Sequence, residues 1–187
     1  MPWGFETGRS YRRGHVHDRY GGNPQSGISP TQNGVVLLFG RQGTSSYGYT
    51  NGMRPDGIYE YFGEGQTGPM KMEKGNRAIR DHANAGRALL AFQIMSDKQV
   101  QFIGEMAYER HRVVEAIDRE GELRAAFIFE LRPMEALAAV LDEDQALDVE
   151  TVDVLRQRAL AAGRINPAES QVPRTVIERS RDVRNYV

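Results

Sequence analysis

The chain has 187 residues, no cysteine, four histidines and a formal net charge of −1. This length predicts one domain of ordinary size, and the absence of cysteine excludes both a disulfide framework and a thiolate zinc site. The histidines lack metal-ligand spacing. The apolar runs are far shorter than the roughly 20 residues of a membrane span, and the N-terminus has no signal-peptide pattern. We therefore expect a soluble, cytoplasmic protein with no membrane partner.

Charge is distributed unevenly along the chain. Residues 1–54 carry six arginines against two acids, whereas residues 133–187 carry seven arginines against ten acids. The small net charge does not by itself indicate binding to nucleic acid, but the distribution matters more than the total. The basic N-terminal part is therefore the candidate surface for anions.

The first two thirds of the chain predict a mainly β structure. Residues 1–34 are rich in Gly, Pro, Ser, Asn and Gln and contain a loop at 21–27, which predicts an ordered arm across the surface. Short apolar runs predict six strands, at 35–39, 57–62, 87–94, 100–108, 112–117 and 123–131, with a hairpin turn at 118–122. Helical spacing from 76 to 84, followed by Gly86, predicts one short helix. These elements indicate an α+β fold built on a curved sheet or small barrel.

After Pro133 the composition changes to Ala, Leu, Asp, Glu and Arg in helical order. Helices are predicted at 134–140, 148–162 and 175–187. We therefore place a boundary near Arg132, between a first domain of residues 1–132 and a helical C-terminal extension of residues 133–187. This extension is also the candidate surface for a homodimer.

The most specific pattern is a pair of tyrosines in a glycine-rich setting. Tyr49 and Tyr61 lie twelve positions apart, within GYTNG and YFGEGQ. Tyrosines at the ends of loops and strands can hold a planar heterocycle between their rings, and glycines let backbone groups approach its edge. The sequence GNRAIR, from Gly75, adds a basic helix start that can bind phosphate. The pattern predicts a pocket for a single nucleobase, although a position in the core or rim of a barrel is the commoner role of tyrosine.

Five short motifs occur in the same order as in the SET- and RING-associated domain, called the SRA or YDG domain. They are VHDRYGG at 16–22, QSGIS at 25–29, GYTNG at 48–52, YFGEGQ at 61–66 and GNRAI at 75–79. Residues 1–132 resemble most closely the SRA domain of bacterial modification-dependent restriction endonucleases of the SRA–HNH type. This resemblance implies a PUA-like curved β-barrel that binds double-stranded DNA and flips 5-methylcytosine, or another 5-modified cytosine, into a pocket.

The resemblance also implies the residues of the base pocket. They are Gly48, Tyr49, Thr50, Asn51, Gly52, Tyr61 and Phe62. Tyr49 and Tyr61 match the two tyrosines that stack on the flipped base. Asn51 stands near the place of an acidic residue in the family, and its amide can accept from the cytosine amino group and donate to N3. Phe62 stands where many relatives have threonine, so one polar contact to the base is expected to be missing.

Contacts to the rest of the DNA are implied in the same way. Gln25, with Ser26, matches the loop from which some relatives insert a side chain into the gap left by the flipped base. Phosphate contacts are expected from Arg12, Arg13, His17, Arg19 and Arg77. Two of these have a second interpretation: His17 as a residue that bonds a backbone carbonyl and fixes the arm, and Arg77 as a solvated residue or a partner of Asp81.

The C-terminal tail resembles the linker that leads into the nuclease domain of SRA–HNH endonucleases. The similar segments are AES at 168–170, PRTV at 173–176 and RSRDVRNYV at 179–187. The sequence contains no Cys-x-x-Cys pair and no histidine cluster of an HNH nuclease, so it has no residues for metal-dependent cleavage. We therefore expect a non-enzymatic reader part of an endonuclease, either truncated or stand-alone. We expect no cofactor in this chain, and a divalent metal would belong to the HNH domain.

Two alternatives remain open. An enzyme that acts on a flipped base or a free nucleotide, such as a glycosidase, needs a carboxylate that faces the pocket. Asp56, Glu60 and Glu64 are the nearby candidates, although a structural role in a turn is expected for Glu64. The second alternative is a PUA-like module that binds RNA, or a scaffold that dimerises through the helical tail.

Overall fold

The computed structural model describes residues 3–41 and 51–139 of the chain. These residues belong to a compact unit, Met1–Glu143, and a second unit, Asp144–Val187, lies outside the described residues. The elements of the first unit are β1 (Ser10–Arg12), α1 (Arg13–Tyr20), β2 (Ile28–Pro30), β3 (Val35–Arg41), β4 (Gly52–Met53), β5 (Tyr59–Phe62), α2 (Lys74–Arg80), β6 (Ala88–Ile94), β7 (Gln99–Ile117) and β8 (Leu123–Pro133). None of the helices in the described ranges is long and apolar enough to span a membrane.

The eight strands found among the described residues belong to one sheet. Its order is β2-β3-β6-β7-β8-β5-β4, and β1 pairs with β7 beside this path. The β3–β6 pair is parallel and the other pairs are antiparallel. The described part of the chain is thus mainly β, with the short helices α1 and α2 and a helical segment at 134–139. Among the described residues the strand pairings form an open path, whereas the resemblance implies a curved β-barrel.

Both faces of the central strands are buried. Side chains of a strand alternate between its two faces, so Val36 and Leu38 of β3 lie in one cluster while Leu37 and Phe39 lie in another. The first cluster is covered by α2 through Ile79. The second is covered by α1 and the N-terminal segment, through residues such as Val16, Tyr20 and Phe5. This two-sided burial explains the continuous apolar run at 35–39, which is typical of strands in a parallel pair.

The predicted strands at 35–39, 57–62, 87–94 and 123–131 are confirmed as β3, β5, β6 and β8. The predicted helix is also present, as α2, although it starts two residues earlier and ends at Arg80. Residues 134–139 are helical, and the other predicted helices of the extension, at 148–162 and 175–187, lie outside the described residues.

One prediction about the elements is wrong, and one segment has regular structure that the sequence does not predict. Residues 100–108 and 112–117 belong to one strand, β7, which continues through a β-bulge between Tyr108 and Arg110. Its polar middle looks like a turn in the sequence because both faces are partly exposed there. Residues 1–34 also contain regular structure, namely β1, α1 and β2. The helix α1 has only two large apolar residues, Val16 and Tyr20, so its sequence lacks a helical apolar pattern.

The turn between β7 and β8 is held by the carboxylate of Asp118. Its Oδ1 accepts from the backbone N–H groups of Glu120 at 2.8 Å and Glu122 at 3.1 Å, and its Oδ2 accepts from the N–H of Gly68 at 2.8 Å. The bond from Gly68 is the main cause that lowers the pKa of Asp118. The charged carboxylate therefore connects the hairpin turn to the loop before α2.

We expect Asp118→Asn to destabilise the protein at neutral pH and to lose this effect in acid. A carboxylate with a lowered pKa in the folded state stabilises above its unfolded pKa of about 3.9, and this contribution is lost as the pH falls through the lowered value. The difference between the urea midpoints of wild type and variant should therefore shrink below about pH 4. A difference that is constant from pH 7 to pH 3 would contradict a role for the charge.

Candidate functional site

Asn51 and the backbone of Phe62 are brought together at one end of β3 and β5. The Oδ1 atom of Asn51 accepts from the backbone N–H of Phe62 at 2.7 Å. The Asn51 side chain also packs on Gly40 of β3, where an added Cβ atom would lie 3.0 Å from Nδ2. Gly40 therefore provides the room for this amide beside the strand. Next to Asn51, Gly52 opens β4 and pairs with Glu60 of β5.

Tyr61 and Phe62 point to opposite faces of β5. The ring of Tyr61 is buried, with 3% of its surface exposed, in the cluster that contains Ile28 and Leu38. The ring of Phe62 packs on the other side, against a cluster that contains Met70. Neighbouring residues of a strand alternate in direction, so the two rings lie on opposite faces, and the place of Tyr61 and Phe62 in one base pocket stays a prediction. Phe62 contacts Asn51 through its backbone N–H.

The hydroxyl of Tyr61 connects three elements. It donates to the backbone oxygen of Gly27 at 2.9 Å and lies 3.3 Å from that of Phe39. Burial is the main cause that raises the pKa of Tyr61 far above its usual value, so the hydroxyl keeps its proton and remains a donor. Tyr61 thus lies in the core, which is the other of the two roles predicted for this tyrosine. Its stacking on a base stays a prediction. Its predicted partner, Tyr49, lies outside the described residues with Gly48 and Thr50.

Residues 23–27, which we call the Gln25 loop, form a closed turn beside Tyr61. The backbone N–H of Gln25 donates to Oδ1 of Asn23 at 2.9 Å, and the N–H of Ser26 donates to the oxygen of Asn23 at 3.2 Å. The Ser26 hydroxyl donates to the oxygen of Ile28. The side chain of Gln25 is exposed. The loop therefore presents Gln25 to solvent, whereas the hydroxyl of Ser26 is used within the protein.

A basic cleft of about 730 Å³ lies at the start of α1. It is lined by Arg12, Arg13, His15, His17, Pro24 and Lys98, with Asp97 beside them. The backbone N–H of Arg13 donates to the oxygen of Lys98 at 2.9 Å, which attaches the β6–β7 turn to the helix start. The cleft thus combines predicted residues with two that sequence reasoning missed, His15 and Lys98. Lys98 had no local signal, because only the pairing of β1 with β7 brings it to this place.

His17 and Arg19 make contacts within the N-terminal part. Nδ1 of His17 lies 3.0 Å from the oxygen of Gly21, a contact that requires the proton on this nitrogen. The ring is buried, with its centroid 5.2 Å from that of Phe39. His17 therefore bonds a backbone carbonyl of the N-terminal arm, which is the second of its two predicted roles. The guanidinium of Arg19 lies over the rings of Phe5 and Tyr20, at 5.9 and 5.6 Å from their centroids.

The start of α2 is occupied by a protein carboxylate. Oε1 of Glu64 accepts from the backbone N–H of Gly75 at 2.6 Å. An added Cβ atom at Gly75 would lie 2.7 Å from this carboxyl group, so a larger residue there would force the Glu64 carboxylate to move. This N–H of the helix start is therefore used within the protein, Glu64 has a structural role there, and a contact of the helix start with phosphate stays a prediction. Arg77 is exposed in a separate cleft of about 350 Å³, and Asp81 pairs with Arg80 at 2.6 Å.

The other carboxylates named for an enzyme are also engaged. Asp56 forms an ion pair with Arg54, and Glu60 forms ion pairs with Arg112 at 2.9 Å and Arg54 at 3.4 Å. The buried Glu130 joins this network through Arg112, at 3.5 Å. Within residues 3–41 and 51–139, no group of three or more His, Asp or Glu side chains is placed to hold a metal ion. These contacts give the carboxylates structural partners.

Comparison with known proteins identifies relatives of this chain. A family model described as "ScoMcrA-like, SRA domain" matches residues 7–149, past the boundary predicted near Arg132. The structure is similar to "Sulfur binding domain and SRA domain of ScoMcrA complexed with phosphorothioated DNA", with 25% identity and a TM-score of 0.55 over 68% of this chain and 39% of that chain. It is also similar to the structure of ScoMcrA described as a "Type IV phosphorothioation-dependent restriction endonuclease". The identity is 25% and the TM-score 0.56, over 68% of this chain and 28% of the ScoMcrA chain.

The fold is shared more widely. The SRA domain of SUVH5, solved in complex with hemi-methylated CG DNA, is 18% identical with a TM-score of 0.51, over 70% of this chain and 89% of that chain. No curated protein sequence matches the chain significantly. The chain spans well under half the length of the two ScoMcrA chains, so the similarity concerns one domain of a larger protein.

Proposed function

The chain belongs to the ScoMcrA-like SRA domain family, and from this membership we propose that it is a reader of modified cytosine in duplex DNA. The proposed target is 5-methylcytosine or another 5-modified cytosine, which is flipped out of the helix. We further propose that the sheet belongs to a PUA-like barrel and that the chain directs an HNH-type endonuclease to modified DNA in the bacterial cytoplasm. Residues 133–187 would be the helical linker to the nuclease and the contact in a homodimer.

One observation carries the proposal: the Gln25 loop lies directly beside the elements of the predicted base pocket. The Tyr61 hydroxyl joins Gly27 of the loop to β5 at 2.9 Å, and Asn51 lies at the same end of β5 through its bond to Phe62 at 2.7 Å. Base flipping requires such an arrangement. The group that fills the gap in the duplex and the pocket that receives the base must lie within the reach of one nucleotide.

The basic cleft supports binding to the DNA backbone. Arg12 and Lys98 are exposed in it, beside the exposed His15, and cationic side chains such as Arg and Lys supply affinity that does not depend on sequence and weakens with salt. Specificity would come from the pocket. A methyl group adds about 1 kcal/mol of apolar burial, so discrimination against plain cytosine is modest at each site.

The Asn51 amide is suited to read the cytosine edge. Its Oδ1 already accepts from Phe62, but an amide oxygen has a second lone pair that can accept from the cytosine amino group. The burial of Tyr61 sets one requirement for a base that stacks between Tyr49 and Tyr61. The ring of Tyr61 is covered by protein in this structure, so a base that stacks on it must displace its present neighbours.

The test is a fluorescence-anisotropy titration of duplexes that differ at one position. The duplexes carry plain, 5-methyl, 5-hydroxymethyl or glucosylated cytosine, and a fifth carries a phosphorothioate, the modification named for ScoMcrA. A matched RNA serves as competitor. We expect one 5-modified duplex to bind more tightly than the plain one. Equal binding of all duplexes would reject the reader function, preference for the phosphorothioate would move recognition to the backbone, and tighter binding of RNA would favour an RNA module.

A further inference from the structure

We propose that Arg13 is a positioning residue, which holds the Gln25 loop in the shape that presents Gln25 to DNA, and that it is not itself a phosphate ligand. The part of this proposal that concerns DNA rests on the proposed reader function. The structural part concerns the protein alone. The proposal gives the two neighbouring arginines different roles although both line the basic cleft: Arg13 holds the loop, and Arg12 contacts phosphate.

The guanidinium of Arg13 is directed at the loop. Its Nη2 donates to the backbone oxygen of Ser26 at 2.8 Å, and its central carbon lies 4.2 Å from the centroid of the Phe39 ring. A guanidinium over an aromatic face gains a cation–π contact that strengthens as water is excluded. The Nε atom is buried, with no hydrogen-bond partner in the described part of the chain. Burial is also the main cause that lowers the pKa of Arg13.

A phosphate ligand needs the opposite arrangement. Its donors must reach solvent, where two nitrogens can bind two phosphate oxygens side by side. One nitrogen of Arg13 is instead bonded to Ser26, and Nε is inaccessible. Arg12 is the exposed neighbour, and it ends β1 whereas Arg13 opens α1. The two arginines therefore form a natural matched pair for experiments.

Arg13 acts together with Tyr61. The two side chains bond consecutive carbonyls of the loop, Arg13 that of Ser26 and Tyr61 that of Gly27. They come from α1 and β5, so the loop is attached to both sides of the site. Gln25 directly precedes these two anchors. Loss of either anchor should allow the loop to move while the sheet stays folded.

The first experiment measures the loop without DNA. Amide hydrogen exchange of the whole chain is compared for wild type, Arg13→Met and Arg12→Met. Methionine keeps an apolar stem against Phe39 but removes the charged donor. We expect exchange of the amides at 25–28 to rise about tenfold in Arg13→Met, the factor expected for loss of one bond from a charged donor, and to stay unchanged in Arg12→Met. The amides of β6 should keep their wild-type rates in both variants, which controls for global unfolding.

The second experiment measures the action of the loop on DNA. A 2-aminopurine placed next to the modified cytosine brightens when its neighbour leaves the stack, and anisotropy at several salt concentrations counts phosphate contacts. Arg12→Met should lower the slope of log affinity against log salt by about 0.9 and retain the full fluorescence rise at saturation. Arg13→Met should retain the slope and lose part of the fluorescence rise. Tyr61→Phe should behave like Arg13→Met, since it removes the second anchor.

Each result decides the proposal. Unchanged exchange in Arg13→Met would overturn it, and so would a fall in the salt slope equal to that of Arg12→Met with full fluorescence, which would make Arg13 a phosphate ligand. A loosened loop with an unchanged fluorescence rise would also overturn the role in presenting Gln25. If the wild type gives no fluorescence rise on any modified duplex, the reader function fails, while the exchange comparison still decides whether Arg13 holds the loop.

Discussion

Asn76→Asp is expected to lower the free energy of unfolding by about 3 kcal/mol, because it removes two buried donors and places a charge among carbonyl groups. The Asn76 side chain is 1% exposed. Its Oδ1 accepts from the N–H of Glu64 at 2.8 Å, and its Nδ2 donates to the oxygens of Glu64 at 2.8 Å and Lys71 at 2.9 Å. Aspartate can replace the acceptor but neither donor.

Urea unfolding at pH 7 measures this effect. The matched control is Asn84→Asp, which introduces the same charge at an exposed position eight residues later in the chain. We expect this control to stay within about 0.5 kcal/mol of wild type, as surface substitutions usually do. Equal losses in the two variants would mean that charge alone is responsible and that the three bonds of Asn76 contribute nothing measurable.

The second large effect concerns binding. Tyr49→Ala is expected to weaken binding of the preferred modified duplex by about 1–3 kcal/mol, the usual contribution of one aromatic that stacks on a base. Binding of the plain duplex should change little, because its affinity comes from phosphate contacts. Anisotropy titrations of both duplexes at one fixed salt concentration measure the difference. Tyr49→Phe is the control, since it keeps the ring and should keep the discrimination.

Tyr49 is the better residue for this test, because Tyr61 is part of the core. Replacing a buried aromatic ring with alanine costs about 3–5 kcal/mol of stability, so weak binding by Tyr61→Ala would not distinguish stacking from unfolding. An equal loss on plain and modified DNA in Tyr49→Ala would remove Tyr49 from the pocket. The reader function would then depend on other residues at the end of β5.

Several elements could be predicted because their signals are local. The apolar runs at 35–39 and 87–94 became β3 and β6, two strands buried on both faces. The helix α1 could not be predicted, because it is held by Phe5 and by strand residues such as Phe92 that are distant in sequence. The middle of β7, from 109 to 112, is polar because it is largely exposed and its side chains pair with neighbours, as Arg110 does with Glu130 of β8 at 2.8 Å.

The sequence by itself determined the family, the residue types of the candidate pocket and the excess of positive charge before residue 54, because these depend on composition and on the order of short motifs. Only the tertiary structure decided which of these residues meet. It turned Tyr61 and Phe62 to opposite faces of β5, placed Lys98 beside the arginines of the cleft, and directed Arg13 at Ser26. The physical reason is that such contacts depend on strand register, side-chain alternation and the burial of polar groups, which are set by partners far away in the chain.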